Sequence, residues 1–297
     1  MKLLIAVDSE NTTQVLVAEV GLRPWPEGTT AHVLSVVADT DVPLEVWREF
    51  GYGKDAVRRE MENRGQQITS LAVERLRAVG IPAEVVVSRG DPRHLIPFFA
   101  RKWSSEIIFV RAHVRKDFQH WMLGSVARAV VTSAPCTVQI VRNHTKDSGH
   151  TLDSPRRLLL ATDGSETSMA AAEALARRPW PQGSEFKIVT VEEPWLIKPS
   201  STMLNINRAE EVLASAGLKA TADVLDGNPK EAILEEAKKW NADLIVVGSH
   251  GRRGFKRLLL GSVSEAVAMN AHCSVVVVRD AAHSSRRAPG IRLDFSS

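Results

Sequence analysis

Gly248, Gly251 and Gly254, followed by Gly261-Ser262, crowd the run VVGSHGRRGFKRLLLGSVSEA from Val246 to Ala266. A valine-rich, strand-like segment precedes them and a helix-like segment follows. Glycine permits positive φ and lets a ligand approach backbone where a Cβ would otherwise stand. A loop leaving a strand and entering a helix can aim several N–H groups at one point. The positive end of the helix dipole adds to them, which makes an anion site. On this reading Gly248 and Gly251 shape the loop, Gly261 admits a phosphate, and Ser262 and Ser264 offer hydroxyl donors. Arg252, Arg253, Lys256 and Arg257 supply positive charge along the segment. A triphosphate suits such a site. A glycine-rich turn with a solvated basic face is the plainer alternative.

The elements that must position this loop emerge from an internal repeat. KLLIAVDSENTTQ (Lys2 to Gln14) matches RLLLATDGSETSM (Arg157 to Met169), and RPWP recurs at Arg23 and Arg178, both 155 positions apart. Later the spacing is 137: Gly90 pairs with Gly227, Trp103 with Trp240, Cys136 with Cys273. The first copy therefore carries 18 extra residues between Val36 and Gly90. The organisation read from this is a domain at 1–143, a linker at 144–154, a second domain at 155–280 and a flexible tail at 281–297. Each copy alternates apolar strand-like runs with helical ones. In the second, Ser165 is a candidate N-cap, Gly217 closes a helix and Pro229 opens one. Such alternation implies α/β domains, here two tandem doubly wound five-stranded mainly parallel sheets. Ligands of such sheets lie at the carboxyl ends of strands where the winding reverses. If the first and fourth strands of a copy are neighbours, Asp163 and Gly248 face each other. Asp163 then either meets a ligand or caps the helix after it.

Composition is that of an ordinary globular protein, with 44% apolar and 25% charged residues. The formal net charge of +3 gives no global reason to expect nucleic acid or an anionic membrane. Two cysteines, Cys136 and Cys273, are too few for a disulfide scaffold and open strand-like runs, so they read as small core residues. The N-terminal apolar run ends at Asp8 and reads as a strand rather than a signal peptide. No apolar stretch is long enough to span a bilayer. A cytoplasmic protein is expected. His113 and His250 occupy equivalent positions, but neither has a second ligand at metal-binding spacing, so no protein-held metal is expected.

Gly248-Ser-His-Gly251, nine residues, then Gly261-Ser262 resembles the G-x2-G-x9-G-[S/T] nucleotide loop of universal stress proteins. The ATDGS strand end and the CSVVVVR strand are also similar to that family, over about residues 1–143 and 155–280. The resemblance implies a Rossmann-like fold of the adenine nucleotide alpha hydrolase type, in the tandem two-domain form, acting in stress response as a nucleotide-dependent regulator. It implies ATP as the ligand, with any Mg²⁺ or Mn²⁺ held by the phosphates. Carried onto this chain, Asp163 contacts the ribose, and backbone around Ala161 and Thr162 together with Val191 holds the adenine. Gly248, Gly251, Gly261, Ser262, Val263 and Ser264 hold the phosphates, and Arg252 is added on charge and position. It also implies pairing through the last strand, with TVQIVR and SVVVVR meeting each other or forming a homodimer; an exposed valine-rich edge needs a partner.

The first copy departs from the pattern. Arg111 stands where Gly248 does and Val114 where Gly251 does, and Trp121 and Met122 replace Leu258 and Leu259. A β-branched valine disfavours positive φ, so the first domain is expected to bind ATP poorly although Asp8 persists. The segment around residues 39–57, with Tyr52, is expected to cover that degenerate pocket. No Walker lysine or SGGxDS-type loop is present, which leaves slow ATP hydrolysis or a nucleotide-free scaffold as the alternatives to a binding protein.

Overall fold

The computed structural model describes residues 1–21, 24–38, 54–112, 123–142, 154–192, 199–251 and 260–279. Outside them lie Tyr52 with most of its insertion, His113, Val114, Trp121, Met122, the basic run Arg252 to Leu259, all of the linker but its last residue, and the tail. The first half runs β1 (Lys2–Val7), α1 (Glu10–Gly21), β2 (Thr30–Val37), α2 (Lys54–Ala78), β3 (Ala83–Arg89), α3 (Pro92–Lys102), β4 (Ile107–Arg111), α4 (Ser125–Ser133) and β5 (Thr137–Val141). The second repeats the order: β6 (Arg157–Ala161), α5 (Glu166–Ala176), β7 (Glu185–Glu192), α6 (Pro199–Ser215), β8 (Ala220–Asp226), α7 (Pro229–Lys239), β9 (Leu244–Gly248), α8 (Ser262–Asn270) and β10 (Ser274–Val278).

Local rules recur at equivalent positions in both halves. Asp91 and Asn228 cap α3 and α7 by accepting from the N–H two residues on, each with proline in the first turn. Ser165 caps α5 as expected, accepting from Ser168 N–H. Gly217 lies just past α6 with φ +75°. α2 and α6 end at equivalent residues, and α2 is the longer, with 25 residues against 17. Part of the first copy's extra length therefore extends a helix.

Within each half every strand pairing is parallel, and β1–β4 and β6–β9 are neighbours as the winding requires. The two five-stranded sheets do not stand apart. β5 and β10 pair antiparallel, giving one sheet in the order β3-β2-β1-β4-β5-β10-β9-β6-β7-β8. The last strands thus meet each other inside the chain, the first of the two pairings expected, and neither edge is left open for a homodimer through those strands. On one face a single core spans both halves, from Leu4 and Ile108 through Val138 and Val275 to Leu159, under α3, α4, α7 and α8. The other face carries two separate cores, one under α1 and α2 and one under α5 and α6. No helix among the described residues is long and apolar enough to cross a membrane.

Two arginines lock the junction. Arg142, 2% exposed, follows β5 and donates to the carbonyls of Ala268 (2.5 Å) and Met269 (3.5 Å) at the end of α8 and of Cys273 (3.1 Å) just before β10. Its counterpart Arg279, after β10, donates to Val131 and Thr132 at the end of α4, at 2.9 and 2.8 Å. Each half therefore caps the other's last helix, satisfying carbonyls that have no partner within the helix. Burial lowers the Arg142 pKa to about 10, which still leaves it charged at neutral pH.

Arg142→Ala strips a charged donor from carbonyls that stay buried. The free energy of unfolding, read by urea titration, should fall by about 3 kcal/mol. Arg279→Ala, at the less buried counterpart, should cost about half as much. An Arg142→Ala protein as stable as the parent would mean that the clamp carries no stability.

Candidate functional site

The crevice between the ends of β6 and β9 is built on one close approach. A Cβ on Gly248 would stand 2.6–2.7 Å from the backbone of Thr167 and Ser168 in the first turn of α5. No side chain fits, so glycine here lets a helix reach the strand end. Gly248 thus packs against α5, and it is not Gly248 that faces Asp163. That place belongs to Gly251, where a Cβ would stand 2.8 Å from Asp163 Oδ2. A Cβ on Gly261 would lie 3.3 Å from both His250 Cα and Ser249 O. None of these three has positive φ. At Gly248 the glycine is required by space rather than by φ, contrary to the expectation for the loop, while Gly251 and Gly261 sit in tight but less rigid surroundings. The positive φ at the site belongs to Gly164, at +77°.

Hydroxyls then pin the loop. Thr167 Oγ1 donates to the His250 carbonyl in a short contact, and Ser165 Oγ donates to the same oxygen at 3.3 Å. Ser249 N–H donates to Val278 (2.8 Å), and Gly261 N–H to Ser249 (2.8 Å), so the two ends of the loop are tied together. Ser264 is buried and its hydroxyl donates to the Gly248 carbonyl at 2.6 Å. The Ser264 side chain thus holds the strand end to α8. Ser262, by contrast, is exposed in the first turn of α8. The N-cap of that helix is Gly261, with no side-chain cap bond. The N–H groups of Ser262, Val263 and Ser264 therefore open a helix end that has no side-chain cap among the described residues.

Asp163 closes the turn before α5, whose N-cap is Ser165. Its Oδ1 accepts from Ser165 N–H at 3.0 Å in a local turn, while Oδ2 faces Gly251. Thr162 is buried and committed: its N–H goes to the Val189 carbonyl, its own carbonyl accepts from Thr190 Oγ1, and its hydroxyl meets Ser168 Oγ at 3.0 Å. The Thr162 N–H, carbonyl and hydroxyl are thus all engaged within the protein at the strand end. Ala161 is buried at the end of β6 beside Val189 and Val247, and Val191 is half-buried near the end of β7. Arg252 lies outside the described residues. His250 Nδ1 is 3.0 Å from Ser249 Oγ. The cysteines are core residues as read: burial pushes both thiols up to about 12.

Sequence reading missed Thr167, Ser168 and Asn205. Asn205, on α6, is buried and donates to the Asp163 carbonyl at 3.2 Å. The first two had a visible signal in the SETS run after Asp163. Asn205 had none, because only the fold brings α6 to that turn.

In the first half Arg111 ends β4 at the position of Gly248, and its Cβ forbids the approach that α5 makes to β9. Ala127 replaces Ser264, Val7 replaces Thr162, and Thr13, in the place of Ser168, has a buried hydroxyl with no hydrogen-bond partner. The Ala112 N–H still donates to the Val141 carbonyl at 2.9 Å, as Ser249 does to Val278, but the hydroxyl of Ser264 that ties the strand end to its last helix has no counterpart in Ala127.

A family model described as the universal stress protein family matches residues 1–142 and 155–279. A universal stress protein of Methanocaldococcus jannaschii is 32% identical over 139 residues, 42% of this chain and 82% of that relative. One from Mycobacterium bovis is 25% identical over 265 residues, 84% of this chain and 86% of its own length. The solved structure of a universal stress protein from Archaeoglobus fulgidus aligns with TM-score 0.68 at 25% identity, covering 94% of this chain and 96% of that one.

Gly248→Ala should destabilise the protein by about 2–3 kcal/mol in urea unfolding, because its Cβ meets backbone that cannot rotate away. Gly261→Ala, with contacts at 3.3 Å, should cost about 1 kcal/mol or less. Equal losses at the two positions would contradict this assignment.

Proposed function

The chain belongs to the universal stress protein family, and on that premise we propose that its second half binds ATP, with occupancy altering the protein's state in the stress response. One observation carries the reading: Gly261 leaves the first turn of α8 uncapped while Asp163, across Gly251, offers a carboxylate to the same crevice. N–H groups of Ser262, Val263 and Ser264, with the Ser262 hydroxyl, would donate to phosphate oxygens in the field of the helix dipole. The Asp163 carboxylate would accept from ribose hydroxyls. Ala161, Thr162 and Val191 would bound the adenine, and Arg252 would add positive charge. Any Mg²⁺ or Mn²⁺ would sit mainly on the phosphates. The hydroxyls of Thr167, Ser168 and Ser264 already have protein partners, which favours holding a nucleotide over turning it over.

Separating the halves would expose β5 and β10, so the test uses the full chain. Calorimetric titration with ATP and Mg²⁺ should give about one site per chain. Asp163→Ala should weaken it about ten-fold, Gly251→Val with Gly261→Trp should abolish it, and Asp8→Ala should leave it unchanged. Two equal sites, or binding that survives the double substitution, would remove the second half as the seat of the nucleotide.

A further inference from the structure

Asp163 sits on a turn that depends on a residue far along the chain. Gly164 holds φ +77°, and a Cβ there would stand 1.9 Å from Asn205 Oδ1. Asn205 is thus packed directly onto the glycine, and its Nδ2 reaches past it to the Asp163 carbonyl at 3.2 Å. Only 7% of Asn205 is exposed, and an amide is not placed in so dry a position without a partner except at cost. The same turn is closed from the other side by Ser165 N–H on Asp163 Oδ1.

The first half supplies an internal comparison. Gly164 corresponds to Ser9 and Asn205 to Ile68, so both members of the pair are replaced together. Ser9 does not have positive φ, and Ile68 is a buried core residue. Ser9 Oγ instead donates to Asp8 Oδ1 at 3.0 Å, and Asp8 is exposed where Asp163 is half-buried. An aspartate thus ends the first strand of both halves, yet its turn is held by α6 in one and by its own neighbour in the other.

We propose that Asn205 is a positioning residue: with Gly164 it sets the turn that aims the Asp163 carboxylate, and so determines how strongly the second half recognises ribose. The recognition part rests on the nucleotide reading above; the turn itself does not. Among the described residues Asn205 bonds the Asp163 turn, not the first turn of α8, so its loss should change discrimination at the sugar and leave affinity for the phosphate chain alone.

The full chain is compared as the parent, Asn205→Ala, Asp163→Ala, and the double variant Gly164→Ser with Asn205→Ile, which installs the pair that already packs in the first half. Backbone amide exchange at Ser165 should quicken about ten-fold in Asn205→Ala and in the double variant. The parent should prefer ATP over 2′,3′-dideoxy-ATP by about ten-fold. That ratio should fall to about one in all three variants, with affinity for inorganic tripolyphosphate within about two-fold of the parent. Unchanged exchange at Ser165, or a retained ATP preference in the Asn205 variants, would overturn the proposal. A parent that binds neither nucleotide would overturn the nucleotide reading instead, and the exchange rates would then decide the role of Asn205 in the turn.

Discussion

The antiparallel pairing of β5 with β10 sets Gln139 opposite Val276, two residues at equivalent places in the repeat. An approximate twofold axis must therefore pass between them. Because each half is internally parallel, its strands' carboxyl ends point opposite ways in the two halves. Asp8 and Asp163 accordingly lie toward opposite ends of one sheet, and no single ligand can bridge the two crevices. The same axis brings the ends of α4 and α8 within reach of Arg279 and Arg142. A continuous core beneath those helices then makes the junction part of the hydrophobic interior rather than a contact between finished domains.

Within the second half, the constraint that decides the site is the approach of α5 to Gly248. Once the helix is that close, Thr167 and Ser165 fall within bonding distance of His250, and Ser264 within reach of the strand's last carbonyl. Each bond is worth about 1 kcal/mol on its own, but they share residues and reinforce one another. The loop's ends are thus fixed by protein groups before any ligand arrives, which lowers the ordering cost of binding.

Much of this was legible in the sequence. The duplication, the strand–helix alternation, the cap at Ser165 and the proline that opens α7 all follow from local pattern, and the first and fourth strands are the neighbours supposed for the crevice. The positions of Gly248, Gly251 and Gly261 were legible too, but not their reasons. A glycine needed for φ and a glycine needed for space are the same letter, and only packing separates them. Gly164 shows the converse, since it alone of the site glycines uses positive φ and it lay inside a short ATDGS match. Asn205 and the β5–β10 pairing depend on which elements meet in space, and no periodicity records that.

Equivalent residues that face each other across a twofold axis must be identical in a symmetric dimer, and a single chain removes that restriction. Arg128 of α4 meets Glu265 of α8 at 2.9 Å, and these two are counterparts in the repeat. In a symmetric pair the position would set arginine against arginine or glutamate against glutamate. Gln139 likewise reaches the buried Glu19 at 2.7 Å, while their counterparts are the apolar Val276 and Ala174. The freedom extends away from the axis. His32 stacks on Trp103 at 4.2 Å in the first half, whereas the equivalent Lys187 bonds Glu236 and Asp223 and lies over Trp240. The changes at the crevice belong to the same divergence. Arg111 for Gly248 forbids the helix approach, and Ala127 for Ser264 removes the bond to the strand end. Ser9 and Ile68 for Gly164 and Asn205 replace the turn. Each fills a space or deletes a donor on which the others depend. The loss of one therefore weakens the constraint on the rest, and the four differences read as a single physical change.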